Sequence, residues 1–284
     1  MLIISQLCDT KSHNRRWLCE GNVTVQFTQP AHIQTNILEN LELFSALCYN
    51  ITAIKHSETL HTHKEIKMKL EGLTINFIGD SITEGVGASS KETVYHAVLA
   101  REAGLKEARN YGISATRFAY QHGTSASYAK GDGVDQNCFC RRFDKMSDDA
   151  DAVVVFGGTN DFGHGDAEIG CFEDRTPDTF YGACHFLFSG LVKKYLGKPV
   201  IIMTPTHRTD EKNPNKSETL RDYVNIIREV AEFYSLPVCD LYAYSGMQPR
   251  IEEIKTKYMP DGLHPSDQGN AAIARKLLAF LRAM

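Results

Sequence analysis

From Leu73 onward the chain alternates short, β-branched apolar runs with longer stretches whose apolar positions recur at helical spacing. The runs predict five strands: 73–78, a weaker one at 108–111, then 152–156, 199–203 and 237–241. Between them the pattern predicts helices over 93–103, 178–195 and 217–234, and a last helix over 266–282 capped by Ser266 or Asp267. Strands that alternate with helices pair in parallel, and their crossovers are right-handed almost without exception. The fold class is therefore α/β: a three-layer α/β/α sandwich, flavodoxin-like, around a five-stranded parallel sheet, with a short N-terminal extension. In such sheets ligands bind beyond the carboxyl ends of the strands. Chemistry is expected in the residues just after each run.

A composition break falls near Met68. Before it lie five of the eleven histidines (His13, His32, His56, His61 and His63) and one of the twenty-one glycines, Gly21. After it, glycines mark the ends of apolar runs, where turns are needed. Residues 68–284 read as the α/β domain and 1–67 as the extension. Two readings of the extension stand. One is a small β-rich appendage, carried by the alternation in Asn22-Val23-Thr24-Val25-Gln26-Phe27 and Asn50-Ile51-Thr52-Ala53-Ile54; the other is a dispensable segment ahead of an internal start at Met68. His56, His61 and His63 lack a framework of cysteines or carboxylates, so they read as a solvated segment rather than a metal site.

Composition narrows the function classes. A chain of 284 residues can bury one large core. Its net charge of −4 comes with lysine and arginine scattered along the sequence, which gives no footprint for nucleic acid or a membrane surface. A small-molecule partner is expected, and the sequence leaves the oligomeric state open. The eight cysteines are irregularly spaced, with Cys138 and Cys140 the nearest pair, and read as reduced, packed thiols. The apolar start, Met1 to Leu7, meets Cys8, Asp9 and Lys11 before a signal-peptide core of about ten residues can form. No run approaches the ~20 apolar residues of a membrane-spanning helix. The expected location is cytoplasmic.

The segment after the first strand is Gly79-Asp80-Ser81-Ile82-Thr83-Glu84-Gly85. A serine at a strand-to-helix turn aims its hydroxyl into the crevice, where helix-start amides can stabilise an oxyanion. The same residue type also serves as a helix cap, and a glycine-rich turn can cradle phosphate, but neither phosphate-loop glycine pattern occurs here. The second strand leads to Gly112, which can offer a backbone N–H at close approach. The third leads to Gly157-Gly158-Thr159-Asn160-Asp161, where Asn160 can offer a side-chain amide. Before the last helix stands Asp261-Gly262-Leu263-His264-Pro265. A serine hydroxyl is a poor nucleophile at neutral pH unless a base takes its proton, and that base works best with a carboxylate behind it. Asp261 and His264 have the spacing for such a pair.

Together Gly79-Asp80-Ser81, Gly112, Gly158-x-Asn160-Asp161 and Asp261-x-x-His264 resemble, in order, the four sequence blocks of the SGNH hydrolases, also called GDSL esterases and lipases. The resemblance covers roughly 73–284 and is nearest to bacterial acetylesterase-type members, through the Gly-Ile-Ser after Tyr111 and the Asp-Gly-Leu-His-Pro-Ser loop. It implies Ser81 as nucleophile, His264 as base and Asp261 as its orienting carboxylate, with the Ser81 N–H, Gly112 and Asn160 forming the oxyanion hole. It also implies the three-layer fold. The segment around 55–72 resembles the β-domain that precedes the catalytic domain in some carbohydrate esterases of the family, but it is too short to be a full one.

The expectation is a serine esterase acting through an acyl-enzyme, without cofactor or metal, on short-chain esters, acetyl foremost, of a carbohydrate-like alcohol. The insert after the third strand carries Asp166, Glu168, Glu173, Asp174 and Arg175, and a second polar loop spans 207–216; both suit a polar rim better than a lipid-binding lid. A thioesterase or lysophospholipase would use the same triad. A rival from another class is a catalytically silent carbohydrate-binding protein, against which the intact set of five residues argues.

Overall fold

The structure, a computed structural model, describes residues 69–122, 134–213 and 217–284 in full, and the backbone of three short strands upstream. By backbone proximity the chain divides into two units, Met1–Glu65 and Ile66–Met284. In the first unit β1 (Ser5–Leu7), β2 (Arg16–Cys19) and β3 (Val23–Gln26) pair antiparallel in that order. The alternation expected over 22–27 falls on β3. The second alternating stretch, at 50–54, the histidines His56, His61 and His63, and Met68 lie outside the described residues.

The second unit is built on β4 (Thr74–Gly79), β5 (Glu107–Gly112), β6 (Ala152–Phe156), β7 (Val200–Met203) and β8 (Val238–Cys239). They form one all-parallel sheet in the order β5-β4-β6-β7-β8. This is the flavodoxin-like order, with the direction in which strands are added reversing between β4 and β6. Side chains alternate between faces along each strand. Ile75, Phe77, Val154, Phe156, Ile201 and Met203 enter one core, while Ile78, Val153, Val155, Val200 and Ile202 enter the other.

Helices α2 (Tyr95–Ala103) and α9 (Asp267–Ala283) cover the first face, with Val98, Leu99, Ile273, Leu277 and Leu281 fully or nearly fully buried. On the second face α5 (Phe180–Lys194) and α6 (Leu220–Phe233) bury Leu187, Phe188, Leu191, Val224, Ile227 and Val230. Each such side chain withdrawn from water stabilises the fold by roughly 1.5–3 kcal/mol before entropy is counted. Shorter helices fill the connections: α1 (Ser81–Glu84), α3 (Phe139–Arg142), α4 (Thr159–His164), α7 (Leu241–Tyr244) and α8 (Glu252–Tyr258).

The elements depart from the sequence pattern where a side chain takes over a backbone hydrogen bond. The last strand ends two residues early because Asp240 leaves the sheet to cap α7, accepting the Ala243 N–H. The helix expected from Thr93 begins at Tyr95, since a 3₁₀ turn over Lys91–Thr93 comes first. Ser266, not Asp267, caps α9 through the Gly269 N–H; the Asp267 carboxylate accepts the N–H and hydroxyl of Ser89 instead. Among the described residues no helix is long and apolar enough to cross a membrane.

Candidate active site

Ser81 opens α1 directly after β4, beside the point where the sheet reverses its growth. Asp80 caps this turn by accepting the Ile82 N–H at 3.0 Å, which leaves the Ser81 N–H without an acceptor among the described residues. The Asp80 carboxyl is buried, and burial lifts its pKa to about 6 against the pull of the Ile82 amide and of nearby His264.

His264 arrives from the far end of the chain. Its Nε2 lies 2.9 Å from Ser81 Oγ and its Nδ1 2.6 Å from Asp261 Oδ2. The other Asp261 oxygen accepts the backbone N–H groups of Leu263 and His264 at 2.9 and 2.7 Å. Partial burial raises the Asp261 pKa, but the bonds from His264 and Leu263 outweigh it and hold the carboxyl below its ordinary range. The loop is fastened from below by Asn270, which is fully buried on α9. The Asn270 amide donates to the carbonyls of Pro265 and Ser266, and its oxygen accepts the Tyr95 N–H. One side chain thus ties the histidine loop to the helix that follows the serine turn.

Asn160 sits in the first turn of α4, immediately beyond β6, and is 4% exposed. Its Nδ2 donates to the Thr116 carbonyl at 3.0 Å, which leaves its second amide proton available. Next to it Asp161 points inward and accepts the N–H groups of Phe118 and Ala119 at 3.1 and 3.0 Å, so the loop after β5 hangs on α4. Burial raises the Asp161 carboxyl to about 6.

Gly112 departs from the part expected of it. Its N–H is taken by Asn110 Oδ1 at 2.7 Å. Its lack of a side chain has a different cause: a Cβ there would collide with the backbone of Thr83 and Glu84, so glycine lets β5 lie directly against the serine helix. Three residues on, Ala115 stands at φ 62°, in the left-handed region, and its N–H has no acceptor among the described residues. The turn bearing it is held by Glu84, whose carboxylate accepts the N–H and hydroxyl of Ser114, and by Thr116 Oγ1, which donates to the Ile113 carbonyl. Ala115 gives no signal in the sequence, because left-handed backbone is signalled by glycine, asparagine or aspartate, not alanine.

Arg142 was also not legible. Its buried guanidinium donates to the carbonyls of Tyr111, Gly79 and Asn137 and to Thr116 Oγ1, which pins the ends of β4 and β5 together. Burial lowers its pKa to about 10. Among the described residues no three histidine, cysteine or acidic side chains are placed to hold a metal, and Cys138, Cys140, Cys171, Cys184 and Cys239 are free thiols.

Over residues 77–272 the sequence matches the GDSL-like lipase/acylhydrolase family. The chain belongs to that family. It is accordingly a carboxylic ester hydrolase of the serine class. A solved structure from Lactobacillus plantarum is 28% identical, with a TM-score of 0.64 over 75% of this chain and 98% of that one. A possible lipase from Chitinophaga pinensis (22% identity, TM-score 0.55, 74% and 98% covered) shares the fold. So does a lipase/acylhydrolase from Enterococcus faecalis (20% identity, TM-score 0.54, 74% and 96% covered). Among curated proteins none matches the sequence. The family match places this GDSL-type domain over the same span as the parallel sheet and the four loops described above.

Proposed function

We propose that this GDSL-family hydrolase cleaves short-acyl esters, acetyl foremost, of a polar, carbohydrate-like alcohol, with Ser81 as nucleophile, His264 as base and Asp261 as the carboxylate behind it. The observation that carries the catalytic part is the continuous contact Ser81 Oγ, His264 Nε2, His264 Nδ1, Asp261 Oδ2 at 2.9 and 2.6 Å. With Nδ1–H donating to Asp261, Nε2 is the free lone pair that takes the serine proton. Ser81 Oγ then bonds to the ester carbonyl carbon, and the carbonyl oxygen becomes the oxyanion. In this reading its donors are the Ser81 N–H, the second Nδ2 proton of Asn160 and the Ala115 N–H, which takes the place assigned to Gly112 from sequence. The protonated His264 passes its proton to the departing alcohol oxygen, leaving an acyl-Ser81. Water, deprotonated by the same imidazole, attacks the acyl carbon and releases the carboxylic acid and free serine.

The short acyl group is supported by what the insert after α4 does with its apolar residues. Ala167 and Ile169 pack down on the core. Phe172 is ringed by Tyr181 and His185 of α5 and Phe233 of α6 at centroid distances of 6.3, 5.0 and 5.5 Å. These side chains are engaged with the fold, which leaves the insert a polar rim instead of a cover for a long chain.

The reading is tested with chromogenic esters of two to twelve carbons and a fluorophosphonate probe. The expected result is labelling that Ser81→Ala abolishes, with kcat/KM highest for two- to four-carbon esters. A maximum at eight carbons or more would replace this substrate class with the lysophospholipase or thioesterase one. Absence of labelling in the wild type would return the protein to carbohydrate binding without catalysis.

A further inference from the structure

We propose that Arg117 and His164 are a positioning pair that fixes which way the Asn160 amide faces, and thereby whether the oxyanion hole has its side-chain donor; this rests on the catalytic reading above. His164 lies four residues after Asn160, so both project from the same face of α4. Arg117 comes from the loop after β5 and is 7% exposed.

The contacts form a directed chain. Arg117 Nη2 is 2.5 Å from His164 Nδ1, His164 Nε2 is 3.1 Å from Asn160 Oδ1, and Asn160 Nδ2 is 3.0 Å from the Thr116 carbonyl. A guanidinium only donates. His164 Nδ1 must therefore accept, which puts the ring proton on Nε2, and that proton goes to Asn160 Oδ1. At the other end the Thr116 carbonyl only accepts, so it too requires the NH₂ of Asn160 on its side. Both ends agree on one orientation, which turns the second amide proton away from Thr116 and leaves it for a substrate oxygen.

With the amide reversed, oxygen would face the Thr116 carbonyl and the ring N–H would face an NH₂ group. The site would then present a lone pair where negative charge develops. Thr116 alone biases the orientation; the Arg117–His164 pair doubles the bias and also fixes the side-chain rotamer, because the imidazole closes off the space on the Oδ1 side. The charge of Arg117 is balanced from the same helix, since it lies near enough to Asp161 to hold that buried carboxyl down.

The experiment compares His164→Leu, which keeps the bulk and removes both bonds, with His164→Gln, whose amide can accept from Arg117 and donate to Asn160. On a two-carbon chromogenic ester, His164→Leu should lower kcat by about 10- to 100-fold with KM within about twofold, because one donor misplaced costs less than the ~10²–10³ of one donor removed. His164→Gln should recover most of that loss. In an Asn160→Ala background His164→Leu should have no further effect on kcat, since there is no amide left to orient. Full kcat in His164→Leu, an equal loss in His164→Gln, or an additive loss in the Asn160→Ala background would overturn the proposal. Activity persisting in Ser81→Ala is a different failure and would remove the catalytic reading itself.

Discussion

Asp261 grips His264 at two points, its Oδ2 on the ring Nδ1 at 2.6 Å and its Oδ1 on the backbone N–H at 2.7 Å. The second contact closes the turn, so the first is made at a fixed angle. Asp261→Asn keeps the size of the side chain but offers an amide where the ring needs an anion. Its kcat for an acetate ester should fall about 10²- to 10⁴-fold with little change in KM. Steady-state kinetics on the purified variant give the answer, and a change confined to KM would remove Asp261 from the proposed triad.

Asn160→Ala removes the amide that Thr116 and His164 hold. If this amide is the proposed oxyanion donor, it acts on charge that exists only in the transition state, so kcat should drop about 10²- to 10³-fold while KM stays within a few-fold. A KM effect alone would make Asn160 a substrate-binding residue.

Gly112 and Ala115 make opposite predictions about stability. Gly112→Ala forces a methyl group into the backbone of Thr83 and Glu84 and should destabilise by about 1–3 kcal/mol. Ala115→Gly relieves a left-handed alanine, and after the entropy a glycine adds to the unfolded chain the net gain should be about 0.5–1 kcal/mol. Urea unfolding measures both, and a destabilised Ala115→Gly would show that the φ of 62° carries no strain.

Asp161 predicts a pH dependence with a definite sign. Its pKa rises from 3.8 to about 6 on folding because it is buried. The folded state therefore binds the proton more tightly than the unfolded one. That contribution is present in full below about pH 4 and is lost as the pH climbs through 6, leaving a cost of roughly 3 kcal/mol at pH 7. The amide introduced by Asp161→Asn does not titrate. Between pH 4 and pH 7 the stability difference should move in favour of that variant by roughly the same amount, whatever its starting value. A difference that stays flat across this range would contradict the buried, raised carboxyl.

The strands were legible in the sequence, and so were the positions of the proposed site residues, because both follow simple rules of position. Val153 to Val155 is buried on both faces, hence continuously apolar, and the sheet rule then places Ser81 and Asn160 at neighbouring strand ends. The weak run of β5 is weak because it is an edge strand with half-exposed residues, and Asp240 cut β8 short by capping, a competition that periodicity does not register. Gly112 has a packing reason that the sequence did not show, because a glycine reports only that a Cβ is excluded, not which neighbour excludes it. Arg142, Asn270 and His164 hold the site through contacts made across distant loops, and no local spacing announces them.

Ser81 and His264 are 183 positions apart in the chain, yet 2.9 Å apart in space. A chain growing from the ribosome exposes Ser81 long before the His264 loop has emerged. In the folded chain Asn270 on α9 then holds the loop that brings Nε2 to the hydroxyl. On the proposed reading, a chain that stops before α9 holds both Ser81 and His264 yet lacks the Asn270 clasp that seats one against the other.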